Sequence, residues 1–296
     1  MSFRIEIANS LKSNRPNLSE SSLKTYSSIL FNIYKKLSTE ETTTLPTTEW
    51  FNNSTTKILK HLEEKNISTK KSTLSALFVL TGNTTYQKEM MAQIKIMSNV
   101  YKNQKKTKKQ EENWISIEEI NKKYKELYDK VMKIFSKKMV GDVETIMDYL
   151  LVALLSGHLL PPRRSLDYAL LKWKNFDPKT DNYYKRGKIY LNKYKTSDTY
   201  GMAKIDVPKE LDAILKKWLK VNPSDYVLIS SNNKPLSSSQ ITRMLNDVFG
   251  KKVSVNMLRH IYLTSFYKDV PPIRHMEQIA LQMGHSVRTA MEYVKR

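Results

Sequence analysis

Apolar positions in the first hundred residues recur at intervals of three and four, which is the period of an amphipathic helix. The longest stripe predicts a helix that begins after Ser19 or Ser21, either of which can cap it. Three shorter stripes predict three more helices, so this half should form a small bundle. The four stripes are Leu23, Tyr26, Ile29, Leu30, Ile33, Tyr34 and Leu37; Ile58, Leu59 and Leu62; Leu74, Leu77 and Leu80; and Met90, Met91, Ile94, Met97 and Tyr101.

The pattern becomes mixed after residue 113. Ser116 and Glu119 form a capping box for one helix, and a strongly apolar helix ends near Gly157. Residues 188–192 and 202–208 have strand composition and flank the turn-rich KTSDTYG, which predicts a hairpin with a long loop. Further helices are predicted after Ser165, from Pro208 to about Lys220, and over 237–250, 255–267, 273–283 and 287–294. The predicted fold class is therefore mainly α with a small antiparallel β-sheet.

Between the two halves lies KNQKKTKKQEEN, residues 102–113, which has no apolar residue. We interpret it as a charged linker between a helical domain, 1–101, and a second domain, 114–296. Its lysines could lie along a phosphate backbone, act as a nuclear import signal, or belong to a solvated connector. Four of its five lysines are the candidates for phosphate contact: Lys105, Lys106, Lys108 and Lys109.

Charge narrows the choice of partner. Lys and Arg total 50 against 29 acidic residues, a net charge of +21. Both halves share the excess, with +10 in residues 1–110 and +11 in the remainder. A polyanion, most commonly nucleic acid, fits this balance, and a Lys-rich solvated surface is the alternative.

Several classes of protein are excluded by composition. The chain has no Cys, which excludes disulfides, thiolate zinc sites and Cys nucleophiles. It shows no secretory leader and no run of 18 apolar residues, so we expect an intracellular protein that does not span a membrane. The sequence has no phosphate-binding loop of the GxxxxGK type, which disfavours a protein driven by nucleotide hydrolysis.

Two segments contain residues that could bind a phosphate group or catalyse a reaction at it. In the first segment, two prolines restrict the backbone before Arg163 and Arg164 to extended conformations. The planar guanidinium group of each arginine can bind two phosphate oxygens. Asp167, one turn beyond Arg164, could hold that guanidinium, although a local surface pair explains it equally well. Asn256 and Arg259 share a face of a later apolar helix, where buried polar groups need partners and structural hydrogen bonding is an equal explanation.

The order Arg, Lys-bearing hairpin, Arg, His, Tyr resembles the tyrosine recombinase (phage integrase) family. The resemblance covers about residues 115–296, and the first half resembles that family's core-binding domain. The first conserved motif of the family, or box, consists of an Arg, an acidic residue three positions later and a Trp nine positions after the Arg. It matches Arg164, Asp167 and Trp173. Arg164 rather than Arg163 therefore takes the catalytic position.

The other boxes match with two departures. The matched residues are Lys195 on the hairpin (Lys193 is the less favoured register), Arg259 and His260 in the second box, His285 in the third, and Tyr293 as nucleophile. The first His of the usual His-x-x-Arg-His is replaced by Asn256. The spacing from His285 to Tyr293 is one residue shorter than the family pattern leads us to expect, and Tyr262 and Tyr267 are rival nucleophiles in contexts that suit packing.

The resemblance implies a reaction without metal, ATP or cofactor. Tyr293 would attack a DNA phosphodiester and form a 3′-phosphotyrosyl bond while a 5′-hydroxyl leaves. The implied supporting roles are Arg164, Arg259 and His285 as donors to the non-bridging oxygens, Lys195 as general acid, Asn256 as a phosphate ligand that cannot act as a base, and Asp167 and His260 as supports of the site.

The implied partner is double-stranded DNA, bound by four protomers on two duplexes, as in the integrase of a virus or mobile element. We expect the protein to reside in the cell with that DNA. Only three residues follow Tyr293, so assembly should use other surfaces, or the chain is truncated. The rivals are a type IB topoisomerase and a DNA-binding protein that has lost catalysis, which Asn256 suggests.

Overall fold

The computed structural model describes residues 3–38, 48–137, 142–282 and 286–288. In these ranges the chain is mainly α-helical with one three-stranded antiparallel sheet, which confirms the predicted fold class. It divides into two compact units, Met1–Lys105 with Pro271–Arg296, and Lys106–Val270, each with its own hydrophobic core. None of the helices described has the length and apolar character that crossing a membrane requires.

The first unit contains more helices than the apolar stripes predict. Up to residue 102 the described helices are α1 (Phe3–Asn14), α2 (Glu20–Leu37), α3 (Thr48–Asn53), α4 (Thr55–Leu62), α5 (Ile67–Thr81) and α6 (Thr84–Lys102). The four predicted helices correspond to α2, α4, α5 and α6. The sequence pattern missed α1 because its buried apolar positions are Ile7 and Leu11, too few to form a recognisable stripe.

Helix ends in this unit are set by local side-chain chemistry. The Ser19 side chain accepts a hydrogen bond from the Ser22 backbone N–H at 3.2 Å, so the cap of α2 is Ser19 rather than Ser21. Asn66 caps α5 in the same way, through Thr69 at 2.9 Å. Such contacts span three residues, which explains why sequence alone predicts them well.

The last described helix, α15 (Ile273–Gln282), belongs to the first unit. Lys102 Nζ lies 3.1 Å from Glu277 Oε1, and the Ile273 N–H donates to Gln104 Oε1 at 2.9 Å. The compact units therefore divide the chain differently from the predicted domains 1–101 and 114–296.

The second unit combines eight described helices with the sheet. The helices are α7 (Lys108–Asn113), α8 (Ile117–Ser136), α9 (Val143–Leu155), α10 (Ser165–Ala169), α11 (Ser197–Tyr200), α12 (Lys209–Leu219), α13 (Ser238–Phe249) and α14 (Val255–Phe266). The strands are β1 (Tyr183–Lys185), β2 (Lys188–Leu191) and β3 (Ala203–Asp206), in the order β1-β2-β3. The predicted hairpin is β2–β3, with Ile189 opposite Ile205. Strand β1 has three residues, which is too short to show an alternating pattern.

Part of the predicted linker is helical. Thr107 and Gln110 form a capping box for α7, in which the Thr107 N–H donates to Gln110 Oε1 at 2.8 Å. The capping box predicted for α8 is confirmed, since Ser116 and Glu119 exchange the same pair of hydrogen bonds. The lack of apolar residues identified a segment outside the core but did not reveal its local helix.

Helix α9 lies in the centre of the second unit. All its residues from Ile146 to Leu155 are buried except Asp148, which is partly buried. A helix that is apolar on every side must be surrounded by other elements, and α8 and α13 both pack against it. The chain that leaves α9 at Ser156 therefore starts from a rigid point.

Candidate functional site

The arginine segment, which we define as residues 157–164, leads from α9 to α10. Pro161 and Pro162 restrict the backbone before the two arginines to extended conformations. Arg164 occupies the N-cap position of α10, with an extended φ of −76° and ψ of 151°. Arg163 and Arg164 are both partly buried, so the fold holds two guanidinium groups at the mouth of a short helix.

The buried carboxylate of Asp167 pairs with Arg163. Arg163 Nε donates to Asp167 Oδ2 at 3.0 Å, and the Asp167 side chain is 2% exposed. The prediction that Asp167 holds Arg164 is therefore wrong. Neighbouring side chains on an extended backbone point to opposite sides. Once Arg163 turns inward to the carboxylate, Arg164 is directed away from it.

Two buried oxygens beside this ion pair have no hydrogen-bond partner among the described residues. They are Asp167 Oδ1 and the hydroxyl oxygen of Tyr168. Burial raises the pKa of Tyr168 well above its ordinary value, so this phenol is unsuited to act as a nucleophile. The surroundings of Asp167 are thus weakly polar, which strengthens its attraction to Arg163.

The lysine loop, which we define as residues 192–202, joins β2 to β3 and carries the exposed Lys195. Its start is held by the buried side chain of Asn182. Asn182 Nδ2 donates to Lys193 O at 2.8 Å and to Asp167 O at 2.9 Å, while the Lys193 N–H donates to Asn182 Oδ1 at 2.8 Å. One amide side chain thus ties the lysine loop to α10.

Tyr194 provides a second connection between the lysine loop and the arginine segment. Arg163 Cζ lies 4.8 Å from the centroid of the Tyr194 ring, within the range of a cation–π contact. The Tyr194 hydroxyl donates to Gly201 O at 2.8 Å, which closes the loop on itself. Lys195 follows directly after this anchored ring.

Helix α14 presents the residues of the predicted second box. Asn256 and His260 are exposed, and Arg259 is partly buried. The expectation that this polar cluster lies on a buried helix is therefore wrong for Asn256 and His260. The helix buries one side and leaves the other open. Its buried residues are Val255, Met257, Leu258 and Ile261.

A close approach at Gly157 joins α14 to the arginine segment. A Cβ atom added to Gly157 would lie 2.5 Å from Tyr262 Cδ2, and the φ of Gly157 is +93°. Only glycine adopts this backbone conformation while leaving room for the ring. Because Tyr262 lies three residues after Arg259, this contact brings the helix that carries Arg259 to the start of the arginine segment.

We expect Gly157→Ala to lower the free energy of unfolding by roughly 2–5 kcal/mol, the sum of an unfavourable positive φ and overpacking against Tyr262. Chemical denaturation measures the loss. Gly250→Ala is the matched control, because Gly250 has a φ of +62° but nothing within 4 Å of an added Cβ. It should cost about 1–2 kcal/mol, from the backbone alone. Equal losses in the two variants would show that the Tyr262 contact is unimportant.

Three cationic groups at the site have no anionic partner among the residues that the structure describes. Within the described ranges, neither a hydrogen bond nor an ion pair is found for the side chains of Arg164, Lys195 and Arg259, in contrast to Arg163 and to Lys172, which pairs with Asp181 at 2.9 Å. Unneutralised guanidinium groups suit a phosphate ligand. In the same part of the chain, no His, Asp and Glu side chains are grouped as a metal site requires.

The four lysines of the predicted linker that are candidates for phosphate contact are all exposed. They are Lys105, Lys106, Lys108 and Lys109. Lys106 Nζ lies 3.8 Å from the ring centroid of Trp114, and this contact fixes one of the four side chains. The accessibility of these lysines is compatible with phosphate binding, which stays a prediction.

His285 and Tyr293 lie outside the described residues. The structure therefore connects three of the segments predicted from sequence: the arginine segment, the lysine loop and α14. Sequence reasoning missed Asn182 and Tyr194 as parts of the site. The position of Tyr194 next to Lys195 was a possible signal, whereas Asn182 precedes a strand that the pattern did not show.

Three solved structures are similar in fold to this chain. The first is a XerA recombinase, with 16% sequence identity and a TM-score of 0.36, and the match covers 99% of this chain and 93% of that one. The second is a lambda integrase dimer bound to a COC′ core site, with 15% identity and a TM-score of 0.48, covering 94% of this chain and 73% of that one. The third is the Tn1549 transposon integrase in complex with circular intermediate DNA, with 13% identity and a TM-score of 0.45, covering 99% of this chain and 95% of that one. No protein-family model and no curated protein matches the sequence.

Proposed function

We propose that the protein is a DNA strand transferase of the tyrosine recombinase type, which cuts and rejoins duplex DNA through a 3′-phosphotyrosyl bond. The observation that supports it most is the connection of the arginine segment, the lysine loop and α14. These carry Arg164, Lys195 and Arg259, cationic groups without an anionic partner among the described residues. A phosphodiester is a ligand that such groups suit.

In the proposed reaction, the phenolic oxygen of Tyr293 bonds to phosphorus while the bond from phosphorus to the 5′-oxygen breaks. The phenolic proton passes to water or to His260, which is exposed on α14. Lys195 gives a proton to the leaving 5′-oxygen. Attack by another 5′-hydroxyl on the phosphotyrosyl bond reverses the step and joins the new strand.

The energetics explain why two arginines are needed. A phenol with a pKa near 10 is only ~0.1% ionised at neutral pH, so prior ionisation costs about 4 kcal/mol. Negative charge then grows on the non-bridging oxygens, where Arg164 and Arg259 would donate, together with His285. Each preorganised donor of this kind contributes roughly 3–4 kcal/mol. Asn256 can donate an amide N–H to the same oxygens, but it cannot serve as a base.

We further propose that both units bind the same duplex, because the positive charge is divided almost evenly along the chain. The proposed assembly is a homotetramer on two duplexes, and the proposed role is integration of viral or mobile-element DNA. The protein would accordingly be found in the cell with that DNA.

The test is covalent capture on nicked duplexes. A set of duplexes that tile the DNA flanking the coding sequence, each with a nick just 3′ of the candidate phosphate, traps the intermediate because the short 5′-hydroxyl product diffuses away. The expected result is a protein–DNA adduct that survives denaturation and whose mass places the DNA on Tyr293. Joining of two separate duplexes should follow when intact sites are supplied.

Two other outcomes would identify the rival functions. An adduct together with relaxation of supercoiled DNA, but without joining of two sites, would identify a type IB topoisomerase. Retarded duplexes without any adduct would identify a DNA-binding protein and overturn the proposal.

A further inference from the structure

We propose that Arg163 is a positioning residue: through its contact with the ring of Tyr194, it fixes the position of the Lys195 side chain. The inference rests on the proposed function, in which Lys195 protonates the leaving 5′-oxygen. It assigns to Arg163 a role different from that of its neighbour Arg164, although both are arginines at the mouth of α10. The arrangement Asp167–Arg163–Tyr194 links a buried carboxylate to the lysine loop.

The first step of the argument is that Arg163 is already neutralised. Its Nε donates to Asp167 Oδ2 at 3.0 Å, and that carboxylate is 2% exposed. A guanidinium committed to a buried carboxylate contributes less to phosphate binding than an unpaired one does. Arg164, for which the described residues provide no such partner, is the better ligand for the phosphate.

The second step concerns what the other side of Arg163 contacts. Its guanidinium lies over the Tyr194 ring at 4.8 Å, and that ring packs against the core of the second unit. Arg is suited to this double role because it is planar, so it can pair with a carboxylate at one edge and stack on an aromatic face. A Lys at the same position would keep the charge but lose the planar stack.

The third step concerns the lysine loop. Asn182 fixes the backbone of Lys193, and the Tyr194 hydroxyl bonds to Gly201 O at 2.8 Å. Between these anchors, the exposed Lys195 has no hydrogen bond or ion pair of its own within the described ranges. Its approach to a leaving group therefore depends on where the Tyr194 ring is held. A misplacement of about 1 Å is enough to cost a large factor in rate.

The test uses two nicked duplexes that differ in one atom. In the first, the leaving atom is the normal 5′-oxygen; in the second it is a bridging 5′-sulfur. A thiol has a pKa of about 8.5, far below that of a hydroxyl group, so a thiolate leaves without a proton donor. A defect in the general acid therefore disappears on the sulfur duplex, whereas a defect in binding the non-bridging oxygens persists.

We expect Arg163→Lys to slow adduct formation by about 10–100-fold on the oxygen duplex, part of the 10²–10⁴-fold that a general acid provides. On the sulfur duplex it should lie within about threefold of wild type, as Lys195→Ala should. Arg164→Ala should stay slow on both. Arg243→Lys, the same substitution at an exposed position on α13, is the matched control and should match wild type on both.

Tyr194 variants separate the ring from the hydroxyl. Tyr194→Phe keeps the ring, whereas Tyr194→Leu removes it. We expect Tyr194→Leu to reproduce the Arg163→Lys defect, including recovery on the sulfur duplex, and the double variant to be no slower than either single one. Tyr194→Phe should lose less than Tyr194→Leu.

The inference is overturned if Arg163→Lys is equally slow on both duplexes, since Arg163 would then act on the phosphate or on folding, or if it shows no defect on either. Recovery on the sulfur duplex itself shows that the variant folds. Failure of the wild type on both duplexes would instead refute the proposed function, so the two failures are distinguishable.

Discussion

Tyr293→Phe should abolish the covalent protein–DNA adduct while leaving DNA affinity within about twofold of wild type. The substitution removes one oxygen atom and keeps the aromatic ring, so the electrostatic part of binding, which comes from Lys and Arg, is unaffected. Because the removed oxygen is the proposed nucleophile, the expected residual adduct is below detection. Denaturing electrophoresis measures the adduct, and a mobility shift at fixed salt measures the affinity.

Tyr262→Phe and Tyr267→Phe are the matched controls for this experiment, since both tyrosines lie at the C-terminal end of α14 or directly after it and could compete for the role. Both variants should retain the adduct. Tyr262 already has a packing role, because its ring lies against Gly157. Loss of the adduct in Tyr267→Phe, combined with its survival in Tyr293→Phe, would identify Tyr267 as the nucleophile and refute the assignment of Tyr293.

Arg164→Ala is expected to reduce the rate of adduct formation by about a hundredfold to a thousandfold, with DNA binding largely retained. Removal of one preorganised donor to a developing oxyanion costs roughly 3–4 kcal/mol in other enzymes. Removal of one phosphate contact changes the salt dependence of affinity by a slope of only about one. Single-turnover rates on a nicked duplex, together with affinity at two salt concentrations, separate the two effects.

Comparison with the neighbouring arginine makes this result specific. Arg163→Ala leaves the buried Asp167 without its partner, so we expect a loss of thermal stability that Arg164→Ala does not show. If affinity falls in Arg164→Ala as much as the rate does, Arg164 is an electrostatic contact and not a catalytic donor. A rate loss confined to Arg163→Ala would reverse the assignment of the two residues.

The elements of the fold were predictable where their signals are local. The capping box at Ser116 was predicted from residues three apart, and the structure confirms it. The helix predicted over 237–250 is α13, which begins with a capping box at Ser237. The β2–β3 hairpin was predictable because its strands flank a turn-rich stretch. Helix α1 and strand β1 were missed, because two buried apolar residues and three strand residues give too little periodicity to recognise.

The candidate site was predictable as a set of residue types but not as a set of contacts. Sequence spacing allowed Asp167 to pair with either arginine, and the predicted choice of Arg164 was wrong. The choice was made by the buried position of Asp167 together with the Tyr194 ring, which lies more than twenty residues further along the chain. Asn182 joins Asp167 to Lys193 across separations of 15 and 11 residues, which lie beyond the range of a local sequence pattern.

The amino-acid sequence alone determined the helical character, the positions of most helix ends, the basic charge and the order of the candidate residues, because each depends on neighbours within a few positions. The tertiary structure alone decided which arginine is neutralised, how the lysine loop is anchored and why position 157 must be glycine. Those features depend on burial and on close approach between distant segments, and packing sets them only when the whole unit folds.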